Sequence, residues 1–483
     1  MSGLVKTTAA IGTTEVLLMG VAMARNKYLA MTIGPEGFGI YGILNSFFMM
    51  VAVFAGSWIA TGTTKYIAEY QAEANKQNTN VIFSFAVAVS LLMGLLLTAM
   101  LILCRGWFLD NFLTKDVKES YYLLFAAAFI TITLRPVLLA VLQGQKRVRE
   151  VVISRWGIAT IDLILVIVLV LMFGLTGFFI SLLVSAIWAA GILLWATLRK
   201  EGVQFIRPSW HDPVIRLLLS FGVISLILSL FNLGSQYIQR IIIVQNLDIQ
   251  SVGLFQAGVA FMFYLGVVGR GSKFYYFPKM SEKMDNDTRN EEINEYLRLV
   301  IILGISLSVP AILLGEWVIL LLYSSAFVAL SSVFYWFVLG QFISSVGSAL
   351  KLTLVGMARL KMHAYSSIVV HSLWVIIPLL LVREYGIGSV GMGFVGGGII
   401  GSLMEYYYLR RHIGLKFSPN VIHLFGVAVV ALGGAVFLKD SAWMWRVGWS
   451  IISIGYIGTK FSREEWSKGY NYVLIRLGMR NNS

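Results

Sequence analysis

Permanent positive charges interrupt stretches of this sequence that otherwise suit the interior of a lipid bilayer. LGSQYIQRIIIVQNL, residues 233 to 247, sets Arg240 in an apolar run, and Arg25, Lys27, Arg135, Arg270, Lys273 and Lys351 recur in similar settings. A cation at mid-membrane costs about 2.5–3.5 kcal/mol on insertion scales unless it faces water or a partner. Arg216 and Arg298 differ, because they begin their apolar runs and a long side chain there reaches the headgroups. Acids within the apolar runs are few: Glu15, Asp162, Glu316 and Glu405. They are too few to neutralise the cations, and buried charge without a counter-ion is unfavourable. The pattern points to a water-filled cationic cavity that receives an anion.

Local context ranks the candidates. Arg135 precedes Pro136, whose missing N–H opens a helix locally. Arg270 lies between two glycines that leave its backbone unshielded, and Lys273 follows at i+3 on the same face. Lys27 is about 200° round a helix from Arg25, so one of the two points away from any common cavity; Arg25 is taken as the inward one. Arg25 and Arg240 are read as equivalent positions of two halves. The candidate anion-binding set is therefore Arg25, Arg240, Arg270, Lys273, Arg135 and Lys351, with Glu15 and Asp162 as candidates for ion coupling. His371 could relay protons, although a lone histidine more readily bonds a neighbouring helix. The chain has no GK[ST] phosphate loop, no HExxH and no nucleophile elbow. Cys104 stands alone, which leaves no disulfide framework or cysteine-based metal site. No catalysis, metal or cofactor is expected.

The elements that position these residues follow from composition. Of 483 residues, 58% are hydrophobic and 13% charged, against roughly 25% charged in soluble domains. Runs such as IDLILVIVLVLMFGLTGFF do not alternate in polarity as barrel strands do. Helical spans of about 20 residues recur along the whole length. The expectation is an all-α polytopic membrane protein with about 14 transmembrane helices. The net charge of +14 does not imply nucleic acid, because Lys and Arg gather in the connections assigned to the cytoplasmic side. Both termini are then cytoplasmic, the first helix is retained rather than cleaved, and the tail FSREEWSKGYNYVLIRLGMR lies on the inner surface.

An internal duplication is also legible. ARNKYLAMTIGPEGFGIYG from Ala24 matches IQRIIIVQNLDIQSVGLFQ from Ile238 at an offset of 214. LQGQKRVREVV from Leu142 matches LVGMARLKMHA from Leu354, and FGLTG at Phe173 matches YGIGS at Tyr385, both at an offset of 212. The spacing corresponds to six helices, an even number, so the halves are parallel repeats about an axis normal to the membrane. The expected organisation is an N-lobe at 1–205, a C-lobe at 206–415 and a C-terminal helix pair with its tail at 416–483.

IGPEGFGIYG, GTTKYIAEY, LQGQKR and FPKMSE together resemble the polysaccharide or O-antigen flippases, the Wzx type, of the multidrug/oligosaccharidyl-lipid/polysaccharide (MOP) exporter superfamily. The likeness covers about the first 410 residues; many such flippases stop at twelve helices and lack the last pair. The resemblance implies a protein of the bacterial inner membrane that moves an undecaprenyl-diphosphate-linked oligosaccharide to the outer leaflet by alternating access. It also implies that Arg25, Arg240 and Arg270 line a cationic cavity; Arg135 and Lys351 are added from depth alone. A proton or sodium gradient is the expected drive, and membrane lipids and the polymerase and chain-length proteins of a glycan pathway are the expected partners. A lipid II flippase and a drug or cation antiporter of the same superfamily are the alternatives. A membrane polymerase or ligase fits less well, since the longest outer connection, CRGWFLDNFLTKDVKES, is of ordinary length.

Overall fold

The computed structural model describes residues 2–199, 203–207, 212–267, 276–277 and 279–460. Those residues are helical almost throughout. The N-terminal half holds α1 (Ser2–Thr32), α2 (Gly34–Ala52), a π turn at Val53–Ser57, α3 (Trp58–Ala72) and α4 (Lys76–Leu103). It continues with α5 (Arg105–Phe112), α6 (Glu119–Gly144) and α7 (Val148–Leu198). After α8 (Pro213–Asn246) and α9 (Ile249–Leu265) come α10 (Asn286–Leu313), α11 (Gly315–Leu322), a 3₁₀ segment at Ser325–Ser332, α12 (Phe334–Gly356) and α13 (Leu360–Tyr385). The chain then forms α14 (Gly388–Ile413), α15 (Pro419–Leu438) and α16 (Trp443–Gly458). Arg270 and Lys273 lie outside the described residues, as does the tail after residue 460.

Nine helices among the described residues are long and apolar enough to cross a membrane. One of them, α7, has 51 residues, about 76 Å if straight, more than twice the roughly 30 Å hydrocarbon core. It breaks at Gly174, where φ 54° and ψ −134° describe a conformation open to glycine and strained for other residues. Large apolar side chains such as Leu171, Leu380, Val429 and Phe437 stay exposed; on a polytopic chain such a belt meets lipid rather than water. The connection CRGWFLDNFLTKDVKES, expected on the outer side, contains the short helix α5, whose Phe108 and Phe112 pack against Phe47. Polar caps start the helices that begin in connections: Asp248 accepts from the Ser251 N–H at 2.6 Å, and Asp285 from Thr288 at 2.8 Å.

The offset seen in the sequence recurs in the backbone. Gly386, which ends α13, has φ 54° and ψ −138°, nearly the dihedrals of Gly174. Lys146 and Ala358 are two of the few non-glycine residues with positive φ, at 57° and 56°. Both pairs stand 212 residues apart. Across the halves, α2 packs on α9 with reciprocal contacts: a Cβ at Gly39 would stand 2.1 Å from the Ile249 carbonyl oxygen, and one at Gly253 would stand 1.8 Å from that of Pro35. Both members of this contact are related by the 214-residue offset, so two backbones touch where only a hydrogen fits.

Candidate functional site

Two cavities between the helices have charged side chains in their walls. The first, about 380 Å³, is walled by α1, α2, α6 and both segments of α7, and Arg25, Arg135, Arg155 and Asp162 all face it. Each side chain has a local reason to be there. Arg25 sits on α1, and its Nε approaches Asp162 Oδ2 at 2.8 Å, at an angle outside hydrogen-bond geometry. Its guanidinium also lies 5.6 Å from the Phe178 ring centre, near the upper end of useful cation–π range. Asp162, on the first segment of α7, further accepts from Ser185 on the second at 2.9 Å. Arg155 stands seven residues before Asp162, two turns back on the same face, and forms a forked pair with Glu15 of α1.

Arg135 is different. It precedes Pro136 within α6, is exposed to the cavity, and makes no ion pair among the described residues. Three guanidinium groups against the carboxylates of Asp162 and Glu15 leave one positive charge in excess. That excess sits on Arg135.

The second cavity, about 550 Å³, is lined by Lys351, His363, Gln341, Ser345 and Ser348. Lys351 makes no ion pair among the described residues either. A third hollow, about 580 Å³, is almost wholly apolar and runs between α10, α12, α14 and α15, with Phe342, Leu403, Phe425 and Val429 in its wall.

The sequence-based set is therefore divided. Arg25 and Arg135 meet in one cavity, while Lys351 lies in another. Arg240 lines none of these three cavities: it is 2% exposed, donates to the Gln236 carbonyl at 2.6 Å and to Gln256 Oε1 at 2.5 Å, and lies 5.2 Å from the Phe255 ring centre. Neutral dipoles and a π face hold it, with no carboxylate in an ion pair among the described residues. The reading of Arg25 and Arg240 as equivalents also needs correction. The 214-residue offset pairs Arg25 with Gln239 and Asn26 with Arg240. The contacts agree with that register, since Arg25 meets Asp162 while Gln239 donates to the carbonyl of Trp374, the counterpart of Asp162, at 2.8 Å.

Glu15 and Asp162 are not free coupling groups here, because each is engaged by an arginine. Lys27 donates to the Leu320 carbonyl at 2.6 Å and ties α1 to α11. His371 bonds within its own helix, to the Ser367 carbonyl at 2.6 Å, and meets Trp374 edge-on. Arg155 was not among the sequence candidates; its i, i+7 spacing to Asp162 is the signal that could have found it.

Residues 4–265, more than half of the chain, match the family model described as polysaccharide biosynthesis protein. The Lipid III flippase of Escherichia coli (strain K12) is 22% identical over 375 residues, covering 76% of this chain and 89% of that protein, and the Lipid III flippase of Shigella flexneri matches equally. Among solved structures, the lipid II flippase MurJ in an inward closed conformation gives a TM-score of 0.74 at 14% identity, covering 94% of this chain and 98% of that one. An inward-facing multidrug resistance MATE transporter of the MOP superfamily gives 0.72 at 14% identity, covering 82% and 94%. The structural likenesses establish a shared fold, and the family match establishes kinship: the chain belongs to the polysaccharide biosynthesis protein family.

Proposed function

We propose that this protein is a flippase that carries an undecaprenyl-diphosphate-linked oligosaccharide across the bacterial inner membrane by alternating access. The observation that supports this reading is Arg135, without an ion pair among the described residues, facing a cavity of about 380 Å³ already polarised by Arg25, Arg155 and Asp162. A diphosphate presents oxygens that suit a planar guanidinium fork, and the charge excess of one favours an anion over a cationic drug. The polyprenyl tail stays in oil while the head group crosses in water; the apolar hollow between α10, α12, α14 and α15 has the chemistry to take isoprene units. The Lipid III and lipid II flippases among the relatives support the same substrate class.

In this reading residues 1–205 and 206–415 are two lobes that rock about the α2–α9 contact, and 416–483 add a helix pair and a tail. Both termini face the cytoplasm, and a proton or sodium gradient drives the cycle. Arg270 and Lys273 stay candidate ligands by sequence, and Lys351 gives the second lobe a cation of its own. The test is complementation of a strain lacking the gene. Arg135→Ala should abolish surface glycan at unchanged protein level, and normal glycan from that variant would remove the cationic-cavity reading.

A further inference from the structure

Glu405 is a carboxyl that the substrate route above does not use. It sits on α14 with 0% exposure. Its Oε2 has no hydrogen-bond partner, and no cation approaches it within 4.0 Å among the described residues. Two helices, α12 and α13, pack against α14. The titratable groups these helices carry nearby are Lys351 of α12, whose charge acts on Glu405, and His363 of α13, three residues before Ser366; His371 of α13 lines a separate hollow against α8 with Phe231 and Ile238. Lys351 and His363 line the 550 Å³ cavity, which gives water a place beside the cation that acts on the buried acid.

The hydroxyl of Ser366 reveals how a proton would be handled. Ser366 Oγ lies 2.8 Å from Glu405 Oε1 and 3.1 Å from the His363 carbonyl oxygen. A serine hydroxyl has one proton to donate, and a carbonyl can only accept. When the hydroxyl donates to His363, the short contact to Glu405 is a hydrogen bond only if Glu405 itself carries a proton and donates to Oγ. When Glu405 is charged, the Ser366 proton must turn to it. A buried carboxylate with one hydroxyl donor and no nearby cation is costly, so the neutral acid suits the packed state.

We propose that Glu405 is the proton-binding site of the transport cycle, neutral in this packed state and charged when the lobe opens and Lys351 and cavity water reach it, with Ser366 switching its donation between the two. The proton comes from water on one side and returns to water on the other; only O–H bonds form and break. The coupling role rests on the flippase reading.

The experiment uses the full chain in liposomes. Infrared difference spectra against pH should show a protonated-carboxyl band that titrates in wild type, vanishes in Glu405→Gln and moves in Ser366→Ala. Flipping of an undecaprenyl-diphosphate-linked monosaccharide under a pH gradient should fall roughly tenfold in Glu405→Gln, within the usual range for loss of a coupling interaction. Binding of the same lipid should stay within about twofold of wild type, because Glu405 lies apart from the arginine cavity. A band that survives in Glu405→Gln, one that is present at every pH, or one that answers to sodium rather than pH overturns the assignment. If neither protein binds the lipid, the flippase reading fails instead, and the infrared band alone decides whether Glu405 titrates.

Discussion

Arg135→Ala and Asp162→Asn should change anion binding in opposite directions. Arg135 has no carboxylate partner among the described residues, so its removal strands no buried acid and leaves the folded state intact. Removing Arg25 would confound the measurement, since Asp162 would keep only Ser185. A hydrogen bond to a charged group is worth about 1.5–3 kcal/mol net, so Arg135→Ala should weaken the Kd for an undecaprenyl-diphosphate-linked monosaccharide by roughly 10- to 150-fold. Asp162→Asn raises the excess charge of the cavity from one to two and frees Arg25. Two unit charges about 6 Å apart interact by about 0.7 kcal/mol in water and about 3 kcal/mol at an effective dielectric near 20. The cavity lies between these limits, so binding should tighten by roughly 3- to 100-fold, while flipping slows because release becomes harder. Both effects should shrink as salt rises, as they do for charges that water can reach. The assay is a binding titration on purified protein at two ionic strengths. Equal shifts of the same sign, or no shift in either variant, would refute an anion-binding role for this cavity.

Other expectations follow from single contacts. Gly253→Ala places a methyl where 1.8 Å separates it from the Pro35 carbonyl, so α2 and α9 must part at a cost of about 1–3 kcal/mol. Outer-side cysteine accessibility near this contact should rise, and an unchanged labelling rate would show that the contact is not a closure. In a Cys104→Ser background, a cysteine at Ser251 should label from outside and one at Lys146 only after permeabilisation; the reverse pattern overturns the topology. Asp285 outside the span is held below the usual aspartate range by the Thr288 hydroxyl and then by the Thr288 N–H. Its folded pKa is depressed, so its contribution is present above the unfolded value of about 3.9 and is lost as pH falls through the folded one. Amide exchange at Asn286–Arg289 should quicken over that acid window and at all pH in Asp285→Ala.

The fold was legible because bilayer thickness and a 212- to 214-residue repeat both leave their mark on one-dimensional spacing. Phe173-Gly174 and Tyr385-Gly386 announced matched turns, and the backbone has matched dihedrals there. The site was legible only in part. Depth in a helix selects residues that need a partner without saying which kind of partner they have. Arg135 and Arg240 look alike in sequence, yet one faces a cavity and the other is enclosed by Gln236, Gln256 and Phe255. For Arg155, spacing places it on one face with Asp162, but its pairing with Glu15 depends on α1 packing beside α7, a contact that spacing does not encode.

That distinction makes Arg240 the sharpest internal control. Its guanidinium is desolvated, but its partners among the described residues are neutral, so replacing it leaves no orphan charge there. A buried ion whose partners can reorganise is often replaced by an apolar side chain of similar length at little cost, and Gln256 and the Gly42 side of the contact lie beside it to adjust. Arg240→Met should therefore keep protein level and keep lipid binding within about twofold, whereas Arg135→Ala loses it. The comparison separates depth from access. If Arg240→Met lost binding as fully as Arg135→Ala, the anion would have to reach the α2–α9 contact during the cycle, and the excess charge at Arg135 would no longer suffice to define where the diphosphate sits.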